Sequence, residues 1–256
     1  MLAIERRNEI LEKLQRDKRV VVGELSHHYE VSEETIRRDL EKLESEGYAI
    51  KSYGGAVLNE NNNNIDLPFN IRKKKNIVGK QKIAELIKQM VHDQERIMLD
   101  ASSTAVYIAK ALKEKRELTL ITNSIEIIIE LFDQSDWHVL STGGSAREGS
   151  FALVGPQTDK MLSSYHVDKA IISCKGLDLK AGITDSEELH ARNKKTMLES
   201  AKEKILAMDS TKFDEIAFTQ IGNLADLTTL VTDKKPEDSW LQALERMGIE
   251  CIYPEP

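Results

Sequence analysis

Two adjacent arginines, Arg37 and Arg38, lie close to Thr35 and Lys42 early in the chain. The guanidinium fork of arginine donates paired hydrogen bonds to guanine or phosphate, and a threonine hydroxyl bonds to base edges. Ser32 precedes these residues, and serine is a residue type that caps the N-terminus of a helix. A capped helix N-terminus carrying these side chains predicts an element that enters the major groove of DNA.

The segment must be helical for these side chains to share a face. Ile36, Leu40 and Leu43 recur at i, i+4 and i+7, which predicts a helix over residues 32–46 with one buried stripe. At about 100° per residue, the threonine, the second arginine and the lysine point away from that stripe, and Arg37 lies on its flank. The alternative is an ordinary amphipathic helix whose charged face is solvated.

The neighbouring segments favour the DNA-binding interpretation. Two further helical patterns lie upstream, one of them over residues 4–15, with apolar positions Ile10, Leu11, Leu14, Val22, Leu25 and Tyr29. Downstream, residues 48–51 and 56–58 predict two strands, and Gly54 and Gly55 permit the tight turn between them. Three helices followed by a β-hairpin predict a winged helix-turn-helix.

These segments resemble the DeoR family of bacterial sugar-operon repressors. The residues that match its N-terminal signature are Arg6, Ile10, Leu14, Ser32, Thr35, Ile36, Arg37, Arg38, Asp39 and Leu40. The resemblance implies that residues 32–46 form the recognition helix and that the Gly54-Gly55 hairpin is the wing. Lys51 stands where the family commonly carries arginine. We expect the DNA contacts to come from Ser32, Thr35, Arg37, Arg38, Lys42 and Lys51.

The charge distribution restricts where DNA can bind. The chain has 256 residues and a formal net charge of −7, and residues 1–60 carry 10 Lys/Arg against 13 Asp/Glu. The N-terminal part is therefore not basic in bulk, and phosphate attraction must come from a local face. We expect Arg6 and Arg7 to contribute to that face.

Composition and cysteine usage indicate a cytoplasmic globular protein. No apolar run reaches membrane-spanning length, and charge follows the N-terminus at once, so no secretory signal is expected. Cys174 and Cys251 stand alone, as reduced thiols do. We expect no metal ion and no cofactor.

The chain length is typical of two domains. We predict a winged helix-turn-helix domain over residues 1–58, a linker over residues 59–75 and an effector-binding domain over residues 76–256. The linker prediction rests on the asparagine-rich residues 59–64. The basic run at residues 72–75 fits a solvated helix face and a contact with the DNA backbone equally well.

From residue 79 onward, strand-like apolar runs alternate with helical patterns, which predicts an α/β domain. Strands are predicted at residues 96–99, 119–121, 137–140, 169–173, 204–207, 229–231 and 250–252. Helices are predicted at residues 104–112 and 124–132. Ligands of such domains collect beyond the carboxyl ends of the strands.

Short polar segments follow five of these strands. Their candidate effector-binding residues are Asp100, Ser102, Ser103, Thr104, Thr122, Asn123, Ser124, Gly143, Gly144, Lys175, Asp209 and Lys212. Hydroxyls and N–H groups at helix starts bind phosphate, lysine supplies charge, and Asp and Asn bind sugar hydroxyls. Each segment alone is usually a cap or a turn, but the five together predict a site for a small polyol phosphate.

These segments also resemble the DeoR-family sensor domain, which is similar in fold to ribose-5-phosphate isomerase and glucosamine-6-phosphate deaminase. Ser102 replaces the glycine usual in the loop from Asp100 to Thr104, and Lys175 stands where the family often has a small residue. The resemblance implies a homo-dimeric or tetrameric repressor of a carbohydrate catabolic operon. We expect such a repressor to bind double-stranded operator DNA and to be released by a phosphorylated sugar.

Two other classes of function compete with this hypothesis. A sugar-phosphate isomerase or deaminase would need a carboxylate base, for which Asp100, Asp209 and Glu187 are available, whereas His166 and His190 fit surface or structural roles. Alternatively, the winged helix could engage a protein instead of DNA. We expect no enzymatic activity.

Overall fold

The computed structural model describes residues 1–59 and 67–255, and the chain divides into two compact units, Met1–Ile71 and Arg72–Pro256. Residues 60–66, which include most of the asparagine-rich stretch, lie outside the described residues. The rest of the predicted linker contains helix α4 (Phe69–Lys74). The domain boundaries at residues 58 and 75 stay a prediction.

The first unit has the predicted three helices and hairpin. Its elements are α1 (Ala3–Asp17), β1 (Arg19–Val21), α2 (Val22–Tyr29), α3 (Glu33–Ser45), β2 (Ala49–Ser52) and β3 (Gly55–Leu58). The three strands form an antiparallel sheet in the order β1-β3-β2. The hairpin of β2 and β3 is therefore hydrogen-bonded to β1, which lies between α1 and α2. Strand β1 was not predicted, because three residues are too few to show a period.

The apolar stripe of α3 forms the centre of this unit. Ile36, Leu40 and Leu43 are buried against Ile10 of α1 and Leu25 of α2. Burying these aliphatic side chains stabilises the fold by about 1.5–3 kcal/mol each. The stripe therefore fixes which face of α3 is left for a partner.

The second unit is an α/β unit around a parallel sheet. Its helices are α5 (Ile77–Met90), α6 (Ser103–Ala111), α7 (Ile125–Glu130), α8 (Pro156–Ser163), α9 (Glu188–Glu199) and α10 (Asp238–Arg246). The strands of the large sheet are β4 (Arg96–Leu99), β5 (Thr119–Thr122), β6 (His138–Ser141), β9 (Val167–Ile172), β12 (Ala201–Ala207), β14 (Thr229–Val231) and β15 (Glu250–Ile252). The shorter strands are β7 (Ser145–Arg147), β8 (Ala152–Val154), β10 (Gly176–Asp178), β11 (Gly182–Asp185) and β13 (Thr219–Gly222).

The large sheet has the order β15-β14-β12-β9-β4-β5-β6, and each of its neighbouring pairs is parallel. All seven carboxyl ends therefore meet at one edge, as predicted. From β4 the chain adds strands first on one side and then, starting with β9, on the other. The crevice between the ends of β4 and β9 is the topological switch point, where open α/β sheets bind their ligands.

Within the part of the chain that the structure describes, no helix is both long and apolar enough to cross a membrane.

Candidate DNA-binding face and effector site

The N-terminus of α3 is capped as predicted. Ser32 Oγ accepts a hydrogen bond from the Thr35 backbone N–H at 3.2 Å, and the two hydroxyls lie 2.9 Å apart. The cap satisfies a backbone donor that the first turn leaves unpaired. It also holds the Thr35 hydroxyl at the start of the helix, half-buried beside the exposed arginines.

The four cations predicted on α3 and the hairpin are all exposed. Arg37, Arg38 and Lys42 are exposed on α3, and Lys51 is exposed on the hairpin. The backbone N–H of Lys51 donates to Glu44 Oε1 at 3.0 Å, which joins the hairpin to α3. The structure thus brings α3 and the hairpin together, as a recognition helix and a wing require.

Arg6 does not belong to this face, contrary to our expectation. It is 8% exposed, and its Nε donates to Asp39 Oδ2 at 2.6 Å. Arg7 Nη1 lies 3.7 Å from the other oxygen of the same carboxylate. A buried arginine held by a buried aspartate is unavailable to phosphate, so Arg6 ties α1 to α3 instead.

Asp100 occupies the switch point of the second unit. It follows β4 and is 1% exposed, and its Oδ1 accepts from the Ser102 N–H at 3.1 Å. Its Oδ2 accepts at 3.0 Å from the N–H of Ser173, which follows β9. One carboxylate therefore holds together the loops on both sides of the crevice.

Lys194, which the sequence did not single out, completes this cluster. Its Nζ hydrogen-bonds to Asp185 Oδ2 and lies 3.4 Å from Asp100 Oδ2. Burial disfavours the charge on Lys194, but the attraction of Asp185 and then of Asp100 outweighs it and raises the lysine pKa. The available sequence signal was a lysine at i+3 from Ala191 and i−4 from Leu198, on the buried stripe of α9.

Asn123 presents an open acceptor on the adjacent loop. Its Nδ2 donates to Leu153 O at 3.0 Å and to Asn193 Oδ1 at 3.4 Å. Its Oδ1 is buried and has no hydrogen-bond partner among the described residues. A buried acceptor without a donor is costly, so this atom indicates a position for a ligand hydroxyl.

In the loops after β4 and β5, three of the other predicted hydroxyl side chains form hydrogen bonds within the protein. Thr122 Oγ1 donates to Leu99 O at 2.8 Å and accepts from the Ser124 N–H at 3.1 Å. Ser124 Oγ caps α7, and Ser102 Oγ caps α6 by accepting from the Ala105 N–H at 3.0 Å. Thr122 and Ser124 are fully buried, which leaves Asn123 as the residue of its loop with a group to offer. Ser103 and Thr104 are buried in the first turn of α6.

The Gly143-Gly144 segment is shaped by its neighbours. Gly144 has a φ of +109°, and a Cβ there would lie 2.2 Å from Thr158 Oγ1 and 2.7 Å from Val154 O. Gly143 O accepts from Thr158 Oγ1 at 2.7 Å. The second glycine is thus required by close packing, independently of any ligand.

The loop after β12 brings Asp209 and Lys212 to the same edge of the sheet. Asp209 is buried, and its Oδ1 accepts from both the N–H and the hydroxyl of Thr211. Lys212 is half-buried at the end of the 3₁₀ turn Ser210–Lys212. Asp233, which follows β14, accepts from the Ser210 N–H at 2.6 Å and so anchors this loop.

A second buried lysine, also missed by the sequence analysis, lies beside this loop. Lys80 of α5 is 4% exposed, and its Nζ donates to the carbonyl of Arg72 and, at 2.6 Å, to that of Lys75. Burial lowers the pKa of Lys80 to about 8, against an opposing effect of Asp209. Lys73, which belongs to the basic run at residues 72–75, pairs with Glu126 of α7 within the second unit.

Two further residues complete the edge. The Lys175 backbone N–H donates to Thr184 O at 2.9 Å, which places this half-buried residue beside β11. Cys174 is buried, with its Sγ 3.6 Å from Met208 Sδ, and burial raises its pKa to about 12. A thiol that stays protonated in this environment is chemically inert.

The carboxylates considered for catalysis are engaged elsewhere. Asp100 binds two backbone N–H groups and faces Lys194, and Asp209 binds Thr211. Glu187 Oε1 lies 2.6 Å from Arg147 Nη2, and its Oε2 lies 3.4 Å from His190 Nε2. These contacts give the three carboxylates structural roles.

A winged helix-turn-helix followed by a parallel α/β unit with a polar strand-end edge defines a DNA-binding regulator that carries a sensor. Residues 6–62 match the DeoR-like helix-turn-helix domain, and residues 75–234 match the DeoR C terminal sensor domain. The chain belongs to the DeoR family of transcriptional regulators.

Relatives along the whole chain are regulators of the same kind. An HTH-type transcriptional regulator of Bacillus subtilis, YulB, is 41% identical over 96% of this chain and 94% of its own length. The transcriptional repressor GlcR of B. subtilis is 34% identical over 98% and 96%. The L-fucose operon activator of Haemophilus influenzae is 32% identical over 95% and 97%. All three relatives are named as regulators of transcription or of an operon.

Among solved structures, ribose 5-phosphate isomerase A from Methanocaldococcus jannaschii aligns with 52% of this chain and 53% of its own. The TM-score is 0.38 and the identity is 17%, so the likeness is distant.

Proposed function

We propose that this regulator represses a carbohydrate catabolic operon and leaves its operator when a phosphorylated sugar binds the second unit. The observation that carries the proposal is the polar edge around Asp100, at the switch point of the sensor sheet. It combines Asn123 Oδ1, a buried acceptor for which the described part of the chain supplies no donor, with lysines and the start of α6. A hydroxyl-rich anion suits this combination of groups.

The lysines of this edge differ in what they can offer to a phosphate. Lys194 is held by two aspartates, and Lys80 by two backbone carbonyls. Lys212 lies half-buried on a loop that Asp233 anchors. We therefore assign the phosphate to Lys212 and the first turn of α6, and the sugar hydroxyls to Asn123.

A thermal-shift screen of aldose and ketose phosphates, each paired with its unphosphorylated sugar, tests this assignment. A ligand at 100 times its Kd stabilises the protein by about 2.7 kcal/mol. Lys212→Gln should abolish the shift by the phosphorylated member of a pair, and Asn123→Ala should weaken binding of both members. An equal response to the two members would refute the phosphate assignment.

A gel-shift assay with the DNA upstream of the gene tests the first unit. Arg38→Ala should weaken specific binding by about 1–3 kcal/mol if the side chain makes a bidentate base contact. Truncating Lys51 should weaken binding to all sequences alike, because a phosphate contact carries no sequence information. Unchanged binding by Arg38→Ala would refute the assigned recognition face, and a partner protein would then be the alternative.

Activation is the second candidate, because one relative of similar identity is named as an operon activator. In vitro transcription from the bound promoter separates the two directions. Repression predicts less transcript with the regulator than without it, and recovery when the sugar phosphate is added. Activation predicts more transcript with the regulator than without it, either alone or with the sugar phosphate.

A further inference from the structure

Every cation that we assign to the DNA-binding face is paired with a glutamate of the same unit. The pairs are Arg37 Nη2 with Glu33 Oε2 at 2.6 Å, Arg38 Nε with Glu34 Oε1 at 3.5 Å, Lys42 Nζ with Glu46 Oε1 at 3.3 Å, and Lys51 Nζ with Glu41 Oε1 at 2.8 Å. In three pairs the partners are four residues apart, within α3 or, for Glu46, at the residue that ends it, and the fourth pair joins α3 to the hairpin. We refer to Glu33, Glu34, Glu41 and Glu46 as the partner glutamates.

These pairs contribute little to folding. Their side chains remain between 39% and 76% exposed, and ion pairs in such positions add little to stability because water and salt screen them. The hydrogen bond between Lys51 and Glu41 raises the pKa of the lysine and lowers that of the glutamate, so both stay charged near neutral pH. A face that must attract a polyanion is thus kept close to neutral.

We infer that the partner glutamates are specificity determinants that weaken binding to DNA lacking the operator sequence. On DNA that lacks the operator sequence, each cation must exchange its carboxylate for a phosphate, and the displaced carboxylate then remains beside the DNA backbone. Binding to non-operator DNA rests almost entirely on phosphate attraction, so this repulsion removes a large share of it. On the operator, an arginine that turns to a base edge makes a base contact in place of a phosphate contact, so the glutamates oppose operator binding less. This inference rests on the proposed DNA-binding face.

Glu33 and Glu34 should have the largest effect. They lie in the first turn of α3, the end of a recognition helix that approaches the base edges. Glu44 is unsuitable for the test, although its Oε2 lies 3.8 Å from Lys51 Nζ, because its Oε1 also accepts from the Lys51 backbone N–H. Replacing Glu44 would disturb the hairpin itself.

The test measures the affinity of the full chain for an operator duplex and for an equally long non-operator duplex between about 50 and 200 mM salt. In Glu33→Gln/Glu34→Gln, affinity for the non-operator duplex should rise about three- to tenfold at the lower salt concentration, and the ratio of operator to non-operator affinity should fall at least about threefold. The difference should shrink at the higher salt concentration, because screening acts on exposed charges.

Glu199→Gln is the matched control. Glu199 pairs with Lys195 four residues away on α9 at 4.0 Å, and both side chains are more than 60% exposed. The substitution removes one negative charge outside the proposed DNA-binding face, half the charge change of the double variant, so it reports the effect of net charge per residue replaced. It should change both affinities less than about twofold.

Three results would overturn the inference. In the first, the affinity of the double variant for the non-operator duplex stays within twofold of that of the control. In the second, the affinities for the two duplexes rise equally. In the third, the affinity for the operator falls, which would mean that the glutamates themselves contact bases. Arg38→Ala separates the inference from the proposed function. If the wild type binds neither duplex, or Arg38→Ala keeps full operator affinity, the DNA-binding face itself is wrong and the inference falls with it.

Discussion

Replacing Lys194 by methionine isolates the buried charge cluster of the sensor unit. The lysine side chain is 11% exposed, and those of Asp185 and Asp100 are 3% and 1% exposed. Methionine keeps much of the apolar length, so the variant loses mainly the cation. Removing one partner of a buried ion pair costs about 3–5 kcal/mol. Asp100 keeps two backbone donors, so we expect a loss near 3 kcal/mol, at the low end of that range.

Urea unfolding followed by tryptophan fluorescence measures this loss directly. Both tryptophans, Trp137 and Trp240, are buried in the second unit, so the signal reports the unit that contains Lys194. Lys195→Met is the matched control, because Lys195 is the exposed neighbour whose pair with Glu199 is 4.0 Å long. The control should lose less than about 0.5 kcal/mol.

A second variant separates lost charge pairing from lost packing. Lys194→Met/Asp185→Asn removes one of the two carboxylates left without a cation and should recover at least about 1 kcal/mol of the loss. A loss below about 1 kcal/mol in the single variant, or no recovery in the double variant, would refute the argument that Lys194 neutralises the cluster.

The pH dependence follows from the sign of the pKa shift. The lysine pKa is raised in the folded state, above the ordinary value of about 10.4. The pairing therefore contributes fully below about pH 10 and is lost only as the pH rises through the higher folded value. We therefore compare the free energies of unfolding of wild type and Lys194→Met at several pH values. Their difference should stay constant from about pH 7 to 9 and shrink in stronger alkali.

Three further predictions concern stability. Arg6→Met should destabilise the first unit by about 3–5 kcal/mol in urea unfolding followed by circular dichroism, because it leaves the buried Asp39 carboxylate with only the longer, 3.7 Å ion pair to the partly exposed Arg7; a loss within 0.5 kcal/mol would contradict the buried pair. Burial lowers the Lys80 pKa to about 8, below the unfolded value of about 10.4, so the second unit should gain stability from this lysine as the pH rises from about 7.5 to 9.5, and Lys80→Met should remove that gain. Gly144→Ala should lower the melting temperature well beyond Gly143→Ala, since both have positive φ but a Cβ has open space only at Gly143; equal effects would show that backbone strain alone matters.

Elements with a strong local pattern were predicted well. The stripe of Ile36, Leu40 and Leu43 gave α3 within one residue at each end, because its apolar period and its serine cap are both local signals. The seven strands of the large sheet were predicted because a strand buried on both faces is a continuous apolar run. Their shared carboxyl edge followed from the parallel arrangement.

The short antiparallel strands of the second unit were not predicted. Strands β7, β8 and β10 have three residues each, and β11 and β13 have four. Strands of this length depend on the chain they pair with, as β11 does on both β10 and β13. Little period develops over three or four residues, so the local pattern alone is a weak signal for these strands.

The residues of the polar edge around Asp100, our proposed effector site, were predicted only in part. Strand-end position pointed to Asp100 and Asn123, because the position of a loop follows from the order of the elements. Lys194 and Lys80 come from the buried sides of helices, where a lysine resembles any other polar residue in a helical pattern. Their roles depend on which carboxylates and carbonyls the fold brings near, and those partners are distant in sequence.

The N-terminal signature contains both buried structural residues and residues outside the core. Its first residue, Arg6, and its late residue Asp39 form a buried ion pair across 33 positions, so the two ends of the pattern are one structural contact between α1 and α3. Between them, Thr35 and Arg38 are left outside the core. A residue that positions α3 and a residue that we propose to read DNA therefore have the same appearance in the sequence. Burial separates them, and it predicts that Arg6→Met acts through stability whereas Arg38→Ala acts through affinity alone.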